Sequence, residues 1–291
     1  MKICFIQGDD LRSTETRISS NVIEKLRDYD IEVLINECHD NCDLLVSING
    51  LSHYDGFEQI RKTFPHIKTV MYVWDLYPWT QYTQGRDGLR EYNQIWVPSN
   101  EVLLRLVEFY NVDINKCKVI KAYAEIFEAE EDQIKNNKFA YHPVRKYKDP
   151  NFGFTDTGSL ATDIPMVRSE HKLTYEEYKE QVLTCSFLVT EYHEASTGGL
   201  TLLEGYYHGK DVLLSDSIYQ GGKDYFDDRA FYFKDGDVDD FIKKYEFLYE
   251  RSFNYKLSDY ELAERKQFIK DNYTIDVMAK NIYLALQELN G

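Results

Sequence analysis

Short apolar runs alternate with helical segments along almost the whole chain, and this alternation restricts the fold more than any other feature. Lys2 to Ile6, Ile31 to Ile35, Asp43 to Ile48, Thr69 to Trp74, Ile95 to Val97 and Lys118 to Ile120 read as buried strands. Between them, Thr14 to Tyr29 carries Ile18, Val22 and Leu26 at helical spacing, and Phe57 to Phe64 reads as a short helix. Ser99 caps a further helix, whose apolar face holds Leu103, Val107 and Tyr110. Strands this short, alternating with helices, predict a mostly parallel, doubly wound α/β sheet.

The pattern then pauses and repeats. Ala124 to Lys138 (AEIFEAEEDQIKNNK) is charged, poor in aliphatic residues, and reads as a linker. Beyond it, strands are expected at Phe139 to His142, Gly153 to Thr155, Ile164 to Arg168, Phe187 to Thr190, Val212 to Ser215 and Phe231 to Phe233. Helices fit Thr174 to Leu183, Leu200 to His208, Val238 to Tyr249, Ser258 to Lys270 and Thr274 to Leu289. The last has Ile275, Met278, Ile282 and Leu286 on one stripe. Two adjacent doubly wound units predict ligand binding at the carboxyl ends of strands, in a cleft between them.

Charge narrows the ligand. Across 291 residues, 34 Lys and Arg face 50 Asp and Glu, for a net charge of -16. That balance disfavours a bare nucleic-acid binder, which needs cations to displace counterions from phosphates. It leaves room for one nucleotide served by a few local cations. No apolar run is long enough to span a bilayer. The start, MKICFIQGDDLRS, lacks the basic-then-apolar layout of a signal peptide. A soluble, cytoplasmic protein is expected. Cys4, Cys38, Cys42, Cys117 and Cys185 are odd in number and scattered, as reduced cytosolic thiols are.

The most informative segment is Phe187 to Lys234. A strand leads into Ser196, Thr197, Gly198 and Gly199, where a helix opens that carries Glu204 and ends at Gly209. Glycines let backbone approach a ligand, and free amides at a helix start point at phosphate oxygens. A carboxylate about a turn deeper can accept hydrogen bonds from both hydroxyls of a ribose. The same residues also fit an ordinary glycine-rich loop with a surface Glu.

This segment resembles the donor-binding half of GT-B glycosyltransferases, particularly the retaining group 1 (family 4) type. Their pattern is roughly P-S-x-x-E-G-F-G-L-x-x-x-E-A. The run here is Ser196-Thr197-Gly198-Gly199-Leu200-Thr201-Leu202-Leu203-Glu204-Gly205, continuing through Gly209 to Asp216 and Gly221-Gly222. The resemblance implies that Glu204 binds the donor ribose, with Thr197, Gly198, Gly199 and Leu200 around the donor. Eight residues before Glu204 stands Ser196 where the family has a Glu that contacts the transferred sugar; Glu194 is the weaker candidate for that role. The family places an Arg and a Lys early in the second domain against the diphosphate, which implies Arg145 and Lys148, with Lys146 as a substitute. In the first domain, Gly8 and Arg17 fall where the family approaches the donor phosphate, and Asp75 falls where it often has a His or Asp near the acceptor. Trp74, Tyr77 and Trp79 suit a sugar or base face, or a loop that packs locally.

The resemblance further implies an acceptor-side domain over residues 1–123, completed by the final helix at 274–291. It implies a nucleotide-sugar-binding domain over 139–273. Only about fifteen residues separate the Arg/Lys loop from the strand at Ile164, so the second domain is expected to be abbreviated, as in a minimal enzyme of viral type. The implied reaction moves a sugar from a UDP- or GDP-sugar to a hydroxyl of a glycan, small molecule or modified base. It proceeds with retention and needs no metal or other cofactor. Two other readings stay open: a phage-type transferase acting on modified DNA bases, and a catalytically silent nucleotide-sugar binder, suggested by Ser196. Asp235-Gly236-Asp237 has a metal-binding D-x-D form but fits a turn and helix cap. Cys38-His39-Asp40-Asn41-Cys42 is a single cluster without a partner pair and reads as a loop rather than a zinc site. His193 and His208 lack triad partners.

Overall fold

The computed structural model describes residues 1–7, 14–48, 54–74, 88–143, 162–168, 173–190, 199–217 and 222–291. The chain divides into two compact units, Met1–Tyr123 with Tyr273–Gly291, and Ala124–Asn272.

The first unit is built on six parallel strands: β1 (Lys2–Ile6), β2 (Glu32–Ile35), β3 (Leu44–Ser47), β4 (Lys68–Tyr72), β5 (Gln94–Val97) and β6 (Cys117–Val119). They lie in the order β2-β1-β3-β4-β5-β6. Registers such as Cys4↔Leu34 and Cys4↔Leu45 put β1 between its two neighbours. Strands β3 and β5 are buried along their whole length, which explains the apolar residues that make up three of the four positions in each. Helices α1 (Thr14–Leu26), α2 (Tyr54–Thr63) and α3 (Asn100–Tyr110) belong to this unit. Phe57 of α2 and Val102 and Leu106 of α3 join Leu45, Met71 and Ile95 in one core cluster. Ser99 caps α3 by accepting from the Val102 amide, and Asn111, at φ 51°, closes it in the left-handed region.

The second unit repeats the plan with five parallel strands: β7 (Ala140–His142), β8 (Met166–Arg168), β9 (Phe187–Thr190), β10 (Asp211–Ser215) and β11 (Phe231–Phe233). Their order is β11-β10-β9-β7-β8. β8 pairs directly with β7, Ala140 opposite Met166, so no strand intervenes where the sequence reads as abbreviated. The strand expected at Gly153 to Thr155 lies outside the described residues. Helices α4 (Tyr175–Thr184), α5 (Gly199–Tyr207), α6 (Lys223–Phe226) and α7 (Val238–Asn254) each follow a strand, and α8 (Asp259–Asn272) follows α7. Phe187, Val189, Leu213, Phe233, Phe241 and Tyr245 make the core beneath α7.

Ala124 to Lys138, read from sequence as a linker, is bonded into this second unit. Phe127 stacks on His208 with ring centroids 4.7 Å apart. The amides of Lys135 and Asn137 donate to the carbonyls of Leu183 and Thr184 at 3.0 and 2.7 Å. The ammonium of Lys210, almost fully buried, donates to Asn136 Oδ1 at 3.0 Å, to Cys185 O at 2.8 Å and to Lys135 O. Phe127, the Asn136 side chain and the segment's backbone anchor it.

The last helix, α9 (Ile275–Asn290), belongs to the first unit and packs along α1. Tyr283 stacks on Tyr29 at 4.6 Å, and Lys25 pairs with Asp276 at 2.8 Å. Met278, Ala279, Ile282, Ala285 and Leu286 form its buried stripe. Among the described residues, no helix is long and apolar enough to cross a membrane.

Candidate active site

In each sheet the strand order reverses once, between β1 and β3 in the first and between β7 and β9 in the second. Ligands of parallel sheets bind outside the carboxyl ends at such a reversal. The second sheet is polar at that edge. Its strands are apolar inside and end in His142 (β7), Arg168 (β8), Thr190 (β9) and Ser215 (β10), all buried. His142 lies opposite Arg168 in the ladder. A buried cation and three buried polar groups on consecutive strand tips are costly unless they meet polar partners.

α5 leaves this edge after β9. Its packing explains its glycines. A Cβ on Gly205 would come within 2.0 Å of Leu188 Cδ1 on β9, so only glycine lets the helix lie this close to the sheet. A Cβ on Gly199 would meet the ring of the buried Tyr225 at 2.6 Å. The sequence reading gave Gly199 to close approach of a ligand; in the structure its missing side chain makes room for Tyr225. Its backbone still opens the helix. Gly209, at φ +83°, ends α5 as expected: its amide donates to Tyr206 O at 3.0 Å and the Lys210 amide to Gly205 O at 2.9 Å.

Glu204 is not the surface carboxylate of the alternative reading. It is 6 % exposed, five residues into α5. At about 1.5 Å per residue its Cα lies about 7–8 Å along the helix axis from that of Gly199. That spacing suits a ribose held one diphosphate away from the helix start. Leu200 and Thr201 are half-buried, and the Tyr178 hydroxyl donates to Thr201 Oγ1 at 3.2 Å, tying α4 to the first turn.

His208, one turn beyond Glu204, is structural. Its Nε2 meets Phe127 O at 3.0 Å, and burial pulls its pKa down to about 4, so the ring stays neutral. Asp237 accepts from the Asp240 amide at 3.1 Å and caps α7, while Gly236 takes φ +76°, so Asp235-Gly236-Asp237 is a turn and cap. Among the described residues, no group of His, Cys, Asp and Glu is arranged to hold a metal ion.

The carboxyl edge of the first sheet carries several local pairs. Gln7 and Asn36 exchange hydrogen bonds, Gln7 N to Asn36 Oδ1 at 2.9 Å and Asn36 Nδ2 to Gln7 O at 3.1 Å. Trp74 packs locally: its indole N–H donates to Ile48 O at 2.6 Å and its ring leans on Tyr72. Ser47, at the tip of β3, is fully buried, and among the described residues its hydroxyl has no hydrogen-bond partner. Arg17 is half-buried on α1. At the start of α3, Glu101 and Arg105 form a buried ion pair one turn apart.

Of the residues expected at the site, Glu204, Gly199, Leu200 and Arg17 are described. Gly8, Asp75, Arg145, Lys148, Ser196, Thr197 and Gly198 lie outside the described residues, as do Lys146, Tyr77, Trp79, His193 and Glu194. Sequence reasoning passed over His142, Arg168 and Thr190. The available signal was a strand that ends in a polar residue, and it occurs on three neighbouring strands.

No protein-family model matches the chain, and no curated protein sequence matches it. Solved structures do. HepE of Anabaena, in complex with UDP-glucose, superposes with a TM-score of 0.66 at 12 % identity, over 99 % of this chain and 100 % of that one. Sucrose-phosphate synthase of Thermosynechococcus elongatus gives 0.68 at 10 % identity, over 99 % of both. An α-glucosyltransferase in complex with UDP and a 13-mer DNA containing an HMU base gives 0.57 at 13 % identity, over 100 % of this chain and 99 % of that one. The two parallel α/β units are thus the GT-B glycosyltransferase fold.

Proposed function

We propose that the protein is a glycosyltransferase that moves a sugar from a UDP-sugar to an acceptor hydroxyl, with retention and without a metal. The observation that carries this reading is Glu204, a carboxylate buried about a turn and a half into the helix at the strand reversal of the second sheet. A carboxylate at that place can accept hydrogen bonds from both hydroxyls of a ribose. The fold supports the reading, since solved members of it hold UDP or UDP-glucose.

In this scheme the second unit holds the donor. Glu204 accepts from the ribose hydroxyls. Thr197, Gly198, Gly199 and Leu200 surround the diphosphate. As the acceptor oxygen bonds to the sugar and the sugar–phosphate bond breaks, negative charge grows on the departing diphosphate. Arg145 and Lys148 stabilise it as preorganised cations. Arg168, at the tip of β8, joins them from the strand side. Ser196 contacts the sugar. In the first unit Gly8 and Arg17 approach the phosphates, and Asp75 orients the acceptor.

A panel of nucleotide sugars in thermal unfolding tests this directly, because a ligand of the folded state raises its stability by RT ln(1 + [L]/Kd). UDP-sugars should raise the midpoint more than GDP- or ADP-sugars, and Glu204→Ala should remove the gain. A panel in which no nucleotide sugar moves the midpoint sinks the proposal.

The likeness to the α-glucosyltransferase solved with DNA favours a second reading, in which the acceptor is a modified DNA base. The net charge of -16 opposes it. Salt-sensitive binding to duplex DNA would support it; no binding at low salt would end it.

A further inference from the structure

The five thiols, scattered in sequence, are not all scattered in space. Cys4 lies within β1, while Cys38 and Cys42 lie on the segment between β2 and β3. In the folded first unit Cys4 and Cys42 sit inside one apolar cluster and Cys38 packs against it. The Cys38 thiol lies close enough to both of the others for their charges to act on it. A turn holds them there: the Cys42 amide donates to His39 O at 3.0 Å, and the His39 amide donates to Cys42 Sγ at 3.5 Å. The sequence shows only the Cys38–Cys42 pair; the third thiol comes from the sheet beneath.

We propose that Cys38 and Cys42 form a reversible disulfide by exchange with a low-molecular-weight disulfide such as oxidised glutathione, while Cys4 stays reduced. Cys38 is the first to react because it is half-buried, whereas Cys4 is fully buried and Cys42 nearly so. Its thiolate attacks one sulfur of oxidised glutathione. That S–S bond breaks, one glutathione leaves as thiolate and takes up a proton, and Cys38 carries a mixed disulfide. The Cys42 thiolate then attacks the Cys38 sulfur and expels the second glutathione. Two protein thiols are oxidised and one glutathione disulfide is reduced.

Cys42 rather than Cys4 completes the pair for a geometric reason. A disulfide draws two sulfurs from contact to about 2.05 Å and brings their β-carbons to about 3.8 Å. Cys4 is fixed by ladders to β2 and β3 on both sides, at Leu34 and Leu45. Cys38 and Cys42 both lie outside the strands, so the segment can adjust at each end.

Burial pushes the Cys38 thiol up to about 11. Little thiolate is present at neutral pH, so exchange is slow. A thiol whose thiolate is not stabilised also makes a poor leaving group, so the disulfide resists reduction once formed. The pair behaves as a slow latch.

The experiment is long incubation of the reduced full chain with excess oxidised glutathione, followed by mass measurement and non-reducing tryptic mapping. Residues 28–61 form one tryptic stretch ending at Arg61 that contains both Cys38 and Cys42, apart from Cys4 on residues 3–12. The expected result is a 28–61 peptide lighter by two hydrogens and free of glutathione. In Cys42→Ser the same peptide should instead retain one glutathione on Cys38. A cross-link between the Cys4 peptide and the 28–61 peptide, a lasting glutathione adduct on Cys38 in the unsubstituted protein, or unreacted Cys38 and Cys42 would each overturn the proposal.

Discussion

The carboxyl edges of the two sheets have the same strand plan but end in different side chains. In the second unit, strand tips present His142, Arg168 and Thr190, and the helix that follows carries the buried Glu204. In the first, the tip of β3 is the buried Ser47, and nearby Gln7 pairs with Asn36, Trp74 with Ile48 and Glu101 with Arg105. A dianionic ligand must be met by charges fixed before it arrives, because reorienting dipoles at the moment of binding costs free energy. A neutral hydroxyl needs less. The difference teaches that strand order does not decide what a carboxyl edge presents; the last residue of each strand does.

The sharpest way to break this comparison is Arg168→Leu. Loss of one charge-assisted bond, worth about 1.5–3 kcal/mol, should raise the KM for a UDP-sugar by roughly tenfold to a hundredfold. An unchanged KM would mean that the polar tips of the second sheet serve only its fold. Next in size is Gly205→Ala, which forces a methyl against Leu188 in a filled core. A loss of about 1–3 kcal/mol is expected from chemical denaturation, with no separate effect on donor specificity.

His208 gives a pH test confined to the second unit. Its folded pKa, about 4, lies below its ordinary 6.5, because burial disfavours the charged ring. The unfolded chain therefore binds the extra proton more readily. Stability from this group is complete above pH 6.5 and is lost as the pH falls toward 4, by about 3 kcal/mol. In His208→Phe, which keeps the stack on Phe127, the thermal midpoint should fall less steeply across that window. Equal slopes would show that acid acts elsewhere. Smallest is Trp74→Phe in the first unit, which removes the bond to Ile48 O and should cost about 0.5–1.5 kcal/mol with donor affinity unchanged. A large loss of donor affinity would place this tryptophan in the site and erase the contrast.

Much of the fold was legible because its signals are local. Ser99, Thr174 and Gly209 mark helix ends within a few residues of the bonds they make, and β5 and β9 show their burial as runs of three apolar residues each. Glu204 was legible as a position in a pattern, but its burial was not, since that depends on how closely Gly205 lets α5 approach Leu188. Arg168 was hidden for another reason: one Arg after two half-buried apolar residues has no periodicity, and it matters only because β8 lies beside β7. The meeting of Cys4 with Cys38 likewise depends on a packing that sequence spacing does not encode.

The return of α9 to α1 has a bearing on how the protein is made. The second unit, Ala124–Asn272, is interposed between the two parts of the first. During synthesis the strands of the first unit emerge early, yet Lys25 of α1 and Tyr29 just beyond it, which take Asp276 and Tyr283, stay uncovered until α9 leaves the ribosome. The interposed unit has all of its own strands before that moment, and domains tend to fold as they emerge. The part of the protein that is begun first is therefore completed last, and its exposed apolar stripe is the interval in which a nascent chain most needs protection.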